Sequence, residues 1–553
     1  MYLRAFPPAA ARPWARCLFV CLLSVSVVAC GAADSSSPPP SSAAGADLPV
    51  DLWIDATSRF LPVTTEWSNR VELADIDGDG RVDLLFANGG DYSEPGEAVP
   101  NRVFLNRGPE QPFEEVTEQV FGPRRDYARV IKVRDVSGDG VADILVGTTF
   151  QTQSRLYLGL GDGAFREVTA SHLPQRLASV GDLELGDADG DGDLDIVLVD
   201  WGAGSNMTNN GGRTRLWLND GDGHFVDATE ERMPETLIAF SWDLELLDFD
   251  NDFDLDVAVS CKRCYGGSLF VNDGAGNFTD DLVGLPRHSN NYDYEPMDID
   301  GDGFLDLVTI NDGDIVGERN GNRRQHVFRN NNGVAFVDST EALLPDSENM
   351  GVDDNNAVFL DYDSDGDADF VVGSLTGPDR LMINDGSGRF TMAPEVFSGA
   401  DTPKTLWLLL ADLDGDHRLD AVHAQGEDPS ATEERIFLGS GLAPDTAPPV
   451  VAQVEARLRP TDGRQALRIR ARVHDRKSPT MPHDWQSVTV RWAQEGGEQN
   501  ETKIAMTWYG EYLWFAEIPG DNVAGISYRV CAVDAAGNES CSEANPATLL
   551  VNE

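Results

Sequence analysis

The sequence predicts an all-β chain: seven four-stranded units repeated radially, with a small β-sandwich behind them. Three observations predict this. The pattern D-x-[DS]-x-D-x-x-x-D, followed by an apolar run, begins at Asp75, Asp135, Asp187, Asp248, Asp298, Asp361 and Asp412. The intervals are 60, 52, 61, 50, 63 and 51 residues, and self-similarity on that scale marks a repeat architecture. Short β-rich runs separated by Gly, Asn and Asp clusters flank each copy, and helix-length periodic segments are absent. Finally, the strand missing from the last repeat stands ahead of the first.

In chain order, residues 1–29 read as a signal segment. Arg4, Arg12 and Arg16 precede an apolar stretch, 18–29, that is too short to span a bilayer. It ends Val27-Val28-Ala29-Cys30-Gly31, which resembles the lipobox of bacterial lipoproteins. The resemblance implies cleavage before Cys30, a lipid on its sulfur, and export to the bacterial cell envelope (outer membrane or cell surface). Two or more acyl chains would anchor the chain firmly to the membrane. Residues 30–50, rich in Ser, Pro and Ala, read as a flexible tether.

Residues 51–443 carry the repeats. One strand leads into each loop, as Asp182-Leu183-Glu184-Leu185-Gly186, and a second leaves it, as Asp195-Ile196-Val197-Leu198-Val199. A third, Arg215-Leu216-Trp217-Leu218-Asn219, passes through Asn219-Asp220-Gly221-Asp222-Gly223 to a fourth, Phe225-Val226-Asp227-Ala228-Thr229. Four antiparallel strands repeated radially make a β-propeller, here seven-bladed. The last copy lacks the fourth strand, so Leu52-Trp53-Ile54-Asp55-Ala56-Thr57 is expected beside residues 435–439, removing two exposed sheet edges.

The loops point to calcium. Position 3 holds Asp77, Ser137, Asp189, Asp250, Asp300, Asp363 and Asp414; position 5 holds Asp79, Asp139, Asp191, Asp252, Asp302, Asp365 and Asp416. Position 9 holds Asp83, Asp143, Asp195, Asp256, Asp306, Asp369 and Asp420. Side chains at 1, 3 and 5 converge and the Asp at 9 closes the shell. The backbone carbonyl at 7 (Arg81, Val141, Asp193, Asp254, Phe304, Asp367, Arg418) adds a ligand. Hard carboxylate oxygens in a flexible loop suit Ca2+ better than Mg2+, and no loop offers His or Cys as a zinc ligand. A Gly at position 6 permits the bend; Phe253 and His417 replace it in copies four and seven, and Ser137 weakens copy two. Copies one, three, five and six are therefore expected to bind tightest.

Together, the D-x-D-G-D-G-x-x-D loops and N-D-G-x-G-x-F turns resemble FG-GAP/VCBS repeats, the family of integrin α-chain propellers and many bacterial surface proteins. The resemblance covers about residues 51–443 and implies calcium in each loop of a seven-bladed ring.

From Thr446 the motif stops, and residues 446–553 show alternating runs such as Ala466-Leu467-Arg468-Ile469-Arg470-Ala471-Arg472-Val473. The ending Tyr528-Arg529-Val530-Cys531-Ala532-Val533-Asp534 resembles bacterial Ig-like or fibronectin-III-like sandwiches. Cys261/Cys264 and Cys531/Cys541 are expected to form disulfides outside the cytoplasm.

A net charge of -52 opposes nucleic-acid binding. The second-to-third-strand connections alternate in length, and the long ones (88–101, 200–212, 311–324) lie on the face away from the calcium loops. A protein or glycan ligand is expected there, with Tyr92, Trp201, Tyr292 and Tyr294 as contact candidates or as plugs between blades. No H-E-x-x-H or G-x-S-x-G occurs, so a non-enzymatic binding protein leads over a lectin and over a polysaccharide lyase using Arg323 or Arg324.

Overall fold

The computed structural model describes residues 48–546, apart from 90–93, 205–209, 265, 282–283, 289, 312–324, 351, 400–403, 427–432, 462–463, 495–500 and 520–524. The signal segment and nearly all of the tether lie outside the described residues.

Each Asp loop joins the first two strands of one four-stranded antiparallel sheet, and seven such sheets occur among the described residues. Their first strands are Ser68–Ala74, Ala128–Arg134, Val180–Gly186, Leu244–Leu247, Asn291–Met297, Asp354–Leu360 and Thr405–Ala411. Each of these strands packs against the first strands of its two neighbours, the last against the first, and all seven line one cavity. Second strands begin at the position-9 Asp and are buried throughout, which explains their unbroken apolar runs.

The seventh sheet completes itself with the N-terminal segment, as the sequence predicts. Ile54–Asp55 pairs antiparallel with Arg435–Leu438, setting Ile54 opposite Leu438 and Asp55 opposite Phe437. Thr57 does there what its counterparts do elsewhere. Its Oγ1 accepts the Ile436 amide at 3.1 Å, just as Thr117, Thr169, Thr229 and Thr340 accept third-strand amides at 3.0–3.2 Å.

The C-terminal part forms two further sheets. One contains Val450–Thr461, Arg464–His474, Leu513–Pro519 and Thr507–Gly510; the other is built on Trp485–Gln494 and Ile526–Asp534. Alternation along Arg464–His474 explains the packing. Leu467, Ile469, Ala471 and Val473 enter a core with Val488, Val490 and Val530, so Arg468, Arg470 and Arg472 face the other way, onto the Asp loops. Both expected disulfides are formed, Cys261–Cys264 and Cys531–Cys541.

Candidate metal centres in the aspartate loops

The loops are shaped by two left-handed residues each. Position 6 has φ between 62° and 110° in all seven, including Phe253 at 68° and His417 at 62°. Position 4 is left-handed as well: Gly78, Gly138, Gly190, Asn251, Gly301, Ser364 and Gly415. The small residues at position 4, Gly in five copies and Asn or Ser in the other two, are the sequence signal of that requirement. Backbone amides then fix the carboxylates. In copy one the Asp79 and Gly80 amides donate to Asp75 at 3.2 and 2.8 Å, and the Arg81 amide donates to Asp79 at 3.0 Å. Copies five, six and seven repeat all three bonds.

The position-9 carboxylate has a second task that sequence reasoning missed. Asp83 Oδ1 accepts the Asn106 amide at 2.7 Å, and the equivalent bond to the end of the third strand recurs in every sheet at 2.7–2.8 Å. Its Oδ2 accepts the position-2 amide, Ile76 N at 3.0 Å in copy one. The same Asn residues tie neighbouring sheets together. Nδ2 of Asn106, Asn219, Asn272, Asn330 and Asn384 donates to the position-2 carbonyl of the preceding loop at 2.8–3.0 Å. In sheets two and seven Gly159 and Gly439 stand in place of this Asn, where a Cβ would meet a backbone oxygen at 2.3 Å. Asn272→Ala would leave the buried Ala188 carbonyl without its donor. It is expected to destabilise by about 2–3 kcal/mol, measured by urea unfolding of the purified variant.

These residues fit a divalent cation. One oxygen each from Asp75, Asp77 and Asp83 lie within 4.8 Å of one another, as do those of Asp187, Asp189 and Asp195, and of Asp248, Asp250 and Asp252. Buried oxygens of Asp187, Asp189 and Asp414 have no hydrogen-bond donor among the described residues. Burial pushes the Asp83 carboxyl up to about 7 and those of Asp195, Asp306 and Asp420 to about 8. A bound cation would offset that penalty and favour the ionised form.

The C-terminal part sits on this loop face. The Asp187 amide donates to the Tyr509 carbonyl at 2.8 Å, and Gln453 Nε2 to the Gly303 carbonyl at 2.8 Å. Arg472 reaches Asp248 at 3.1 Å and Arg470 reaches Asp254 at 3.2 Å, while Arg470 also donates to the Phe253 carbonyl at 3.0 Å. Copy four is thus partly served by guanidinium groups. Its left-handed Phe253 is buried beneath Arg470 and bonded through its carbonyl to the Tyr509 hydroxyl at 3.0 Å. A cavity of about 290 Å3 opens between loops one, six and seven and this part, lined by Tyr362, Asp475, Lys477, His483 and Asp484 among others. Burial pushes His483 down to about 4 and Asp475 up to about 8, so near neutral pH the imidazole is uncharged.

The expected aromatic contact residues need correction. Trp201, Tyr292 and Tyr294 are 0%, 2% and 0% exposed, so they are plugs rather than surface contacts. Trp201 and Tyr292 pack with Phe240 and Trp242, and Arg129 and Lys262 lie over the Trp242 and Tyr292 rings at 3.7 and 3.9 Å. Their alternating strand positions could not reveal this, because the partners come from other sheets. Tyr92, Arg323, Arg324 and much of the long connections lie outside the described residues.

The FG-GAP-like repeat model matches residues 75–146, 135–198, 203–259, 248–309 and 361–423, together more than half of the chain. No curated protein matches the sequence. Among solved structures, BBS1N in complex with ARL6DN, soaked with lead, is 10% identical with a TM-score of 0.42, covering 70% of this chain and 97% of its own. Trypanosoma rangeli sialidase in complex with the inhibitor DANA is 10% identical with a TM-score of 0.37, covering 81% and 89%. Likeness at that level says nothing about this chain's ligand. All seven aspartate loops fall inside matched repeats, and the chain belongs to the FG-GAP-like repeat family.

Proposed function

We propose that this chain is a seven-bladed propeller with calcium in its loops, an Ig-like module (446–553) docked on the loop face, and a recognition role at the cell envelope. Residues 1–29 direct export, Cys30 carries the lipid, and 30–50 form the tether to residues 51–443. The observation that carries the calcium reading is the shared loop geometry: left-handed residues at positions 4 and 6 in all seven copies, with oxygens of positions 1 and 3 within 4.8 Å of one another and of a position-9 or position-5 Asp in copies one, three and four. Calcium then acts as a structural cross-link, holding the first and second strands of each blade at the end where the module docks.

The docked module covers the loop face, which favours the opposite face for a protein or glycan ligand. Rigid blades with long connections are a common platform for such binding. Glycan and protein arrays probed with the full-length chain, with calcium and with chelator, test this. Saturable binding to one ligand class supports it. Release of unsaturated or reducing-end products from a polysaccharide would instead favour the alternative of a carbohydrate-active enzyme, for which the cavity beside Lys477 and His483 offers acid–base groups.

The copies also differ in expected affinity. Asp79→Asn is expected to remove one calcium ion per chain at limiting calcium, read by native mass spectrometry. Asp252→Asn is expected to remove less than one, because Arg470 and Arg472 already engage copy four. Equal losses would overturn the ranking.

A further inference from the structure

The first strands of the seven sheets surround a second, smaller cavity of about 30 Å3, remote from the Asp-loop carboxylates. Its walls carry more acid than base. Arg70 bonds Asp182 at 2.9 Å and Asp243 at 2.6 Å, Lys132 pairs with Glu184, and Arg134 reaches Glu72 at 3.3 Å. After those pairings Glu245, Glu295 and Glu511 still have no ion-pair partner among the described residues. Glu245 stands in the middle, with Glu295, Asp243, Glu184 and Glu511 as its charged neighbours.

Geometry turns this surplus into a site. One oxygen each from Asp243, Glu245 and Asp293 lie within 4.8 Å of one another. Asp243 is fully buried; one of its oxygens bonds Arg70, while Oδ2 has no hydrogen-bond donor among the described residues. Glu511 Oε1, brought in by the C-terminal module, is also buried without a donor among the described residues. The buried Trp201, Trp242 and Tyr292 lie towards the start of the first strands, and Pro479 and Glu511 enter the cavity from the module on the loop side. Like charges enclosed this way repel strongly in a low dielectric. A cavity of this size has room for an ion or a water, and an all-carboxylate donor set selects a hard cation.

We propose that one calcium ion sits at the wall of this cavity on Asp243, Glu245 and Asp293, with Glu295 and Glu511 closing the shell from the cavity side. The ion joins the inner strands of two neighbouring sheets, Leu244–Leu247 and Asn291–Met297, to the C-terminal module through Glu511. It does not depend on the loop sites, which lie at the ends of these strands.

Crystals of the full-length protein soaked in terbium chloride test this by anomalous diffraction. A peak beside the Glu245 carboxylate is expected. Peaks in the loops with none at this site would overturn the proposal, leaving shared protons or water to balance the carboxylates. A peak at this site without loop peaks would sustain it while defeating the loop reading. In parallel, Glu245→Gln is expected to bind one calcium fewer than the wild type by native mass spectrometry, with its near-ultraviolet circular dichroism retained. An unchanged ion count in the folded variant would also overturn the site. Should that variant not fold, the wild-type crystal decides.

Discussion

Stripping calcium from the full-length protein is expected to lower its melting temperature by at least about 10 °C. At millimolar calcium and a Kd near 10⁻⁴ M, each proposed loop site would contribute about 1.4–2.7 kcal/mol by mass action. Seven sites acting on one cooperative body would then exceed the net stability of a typical domain. The mechanism is visible in the loops: without a cation, buried carboxyls such as Asp195 and Asp420 sit at about 8 and resist ionisation. Differential scanning calorimetry in excess chelator, then with calcium restored, measures the effect. A melt that does not move would remove calcium from the account of this fold.

Deleting residues 51–58 is the second large effect. The segment supplies the outer strand of the seventh sheet, and Trp53 within it is fully buried, stacked on Phe397 at 4.8 Å. Trp53 Nε1 donates to the Leu419 carbonyl at 2.8 Å, and the Trp53 amide donates to the Val396 carbonyl at 3.0 Å. Losing the tryptophan alone costs about 3–5 kcal/mol, and the deletion also bares the edge of Arg435–Leu438 for pairing with other chains. The truncated chain is expected to melt several degrees lower and to aggregate on concentration, as read by calorimetry and light scattering. Trp53→Ala separates the two causes: it should reproduce the lowered melt without the exposed edge.

The repeat was readable because its chemistry is local. An Asp at positions 1, 3 and 5 and a Gly at 6 act within one turn, so the loops and the strands around them follow from spacing alone. Closure by residues 52–57 was readable too, because a missing strand and a surplus one had the same pattern. The position-9 role was only half legible. That Asp belongs to a loop, yet its amide partners include the end of the third strand, and the Asn at that end reaches back to the preceding sheet.

By itself, then, the sequence determined the repeat number, the strand order within each sheet and the carboxylate sets, since all depend on residues a few positions apart. Only the tertiary structure decided where the C-terminal arginines land, that Trp201 and Tyr292 are buried, and that carboxylate oxygens of Asp243, Glu245 and Asp293 come within 4.8 Å of one another. Those outcomes join side chains from different sheets, and the distances between sheets are set by packing around the ring, which no local spacing encodes.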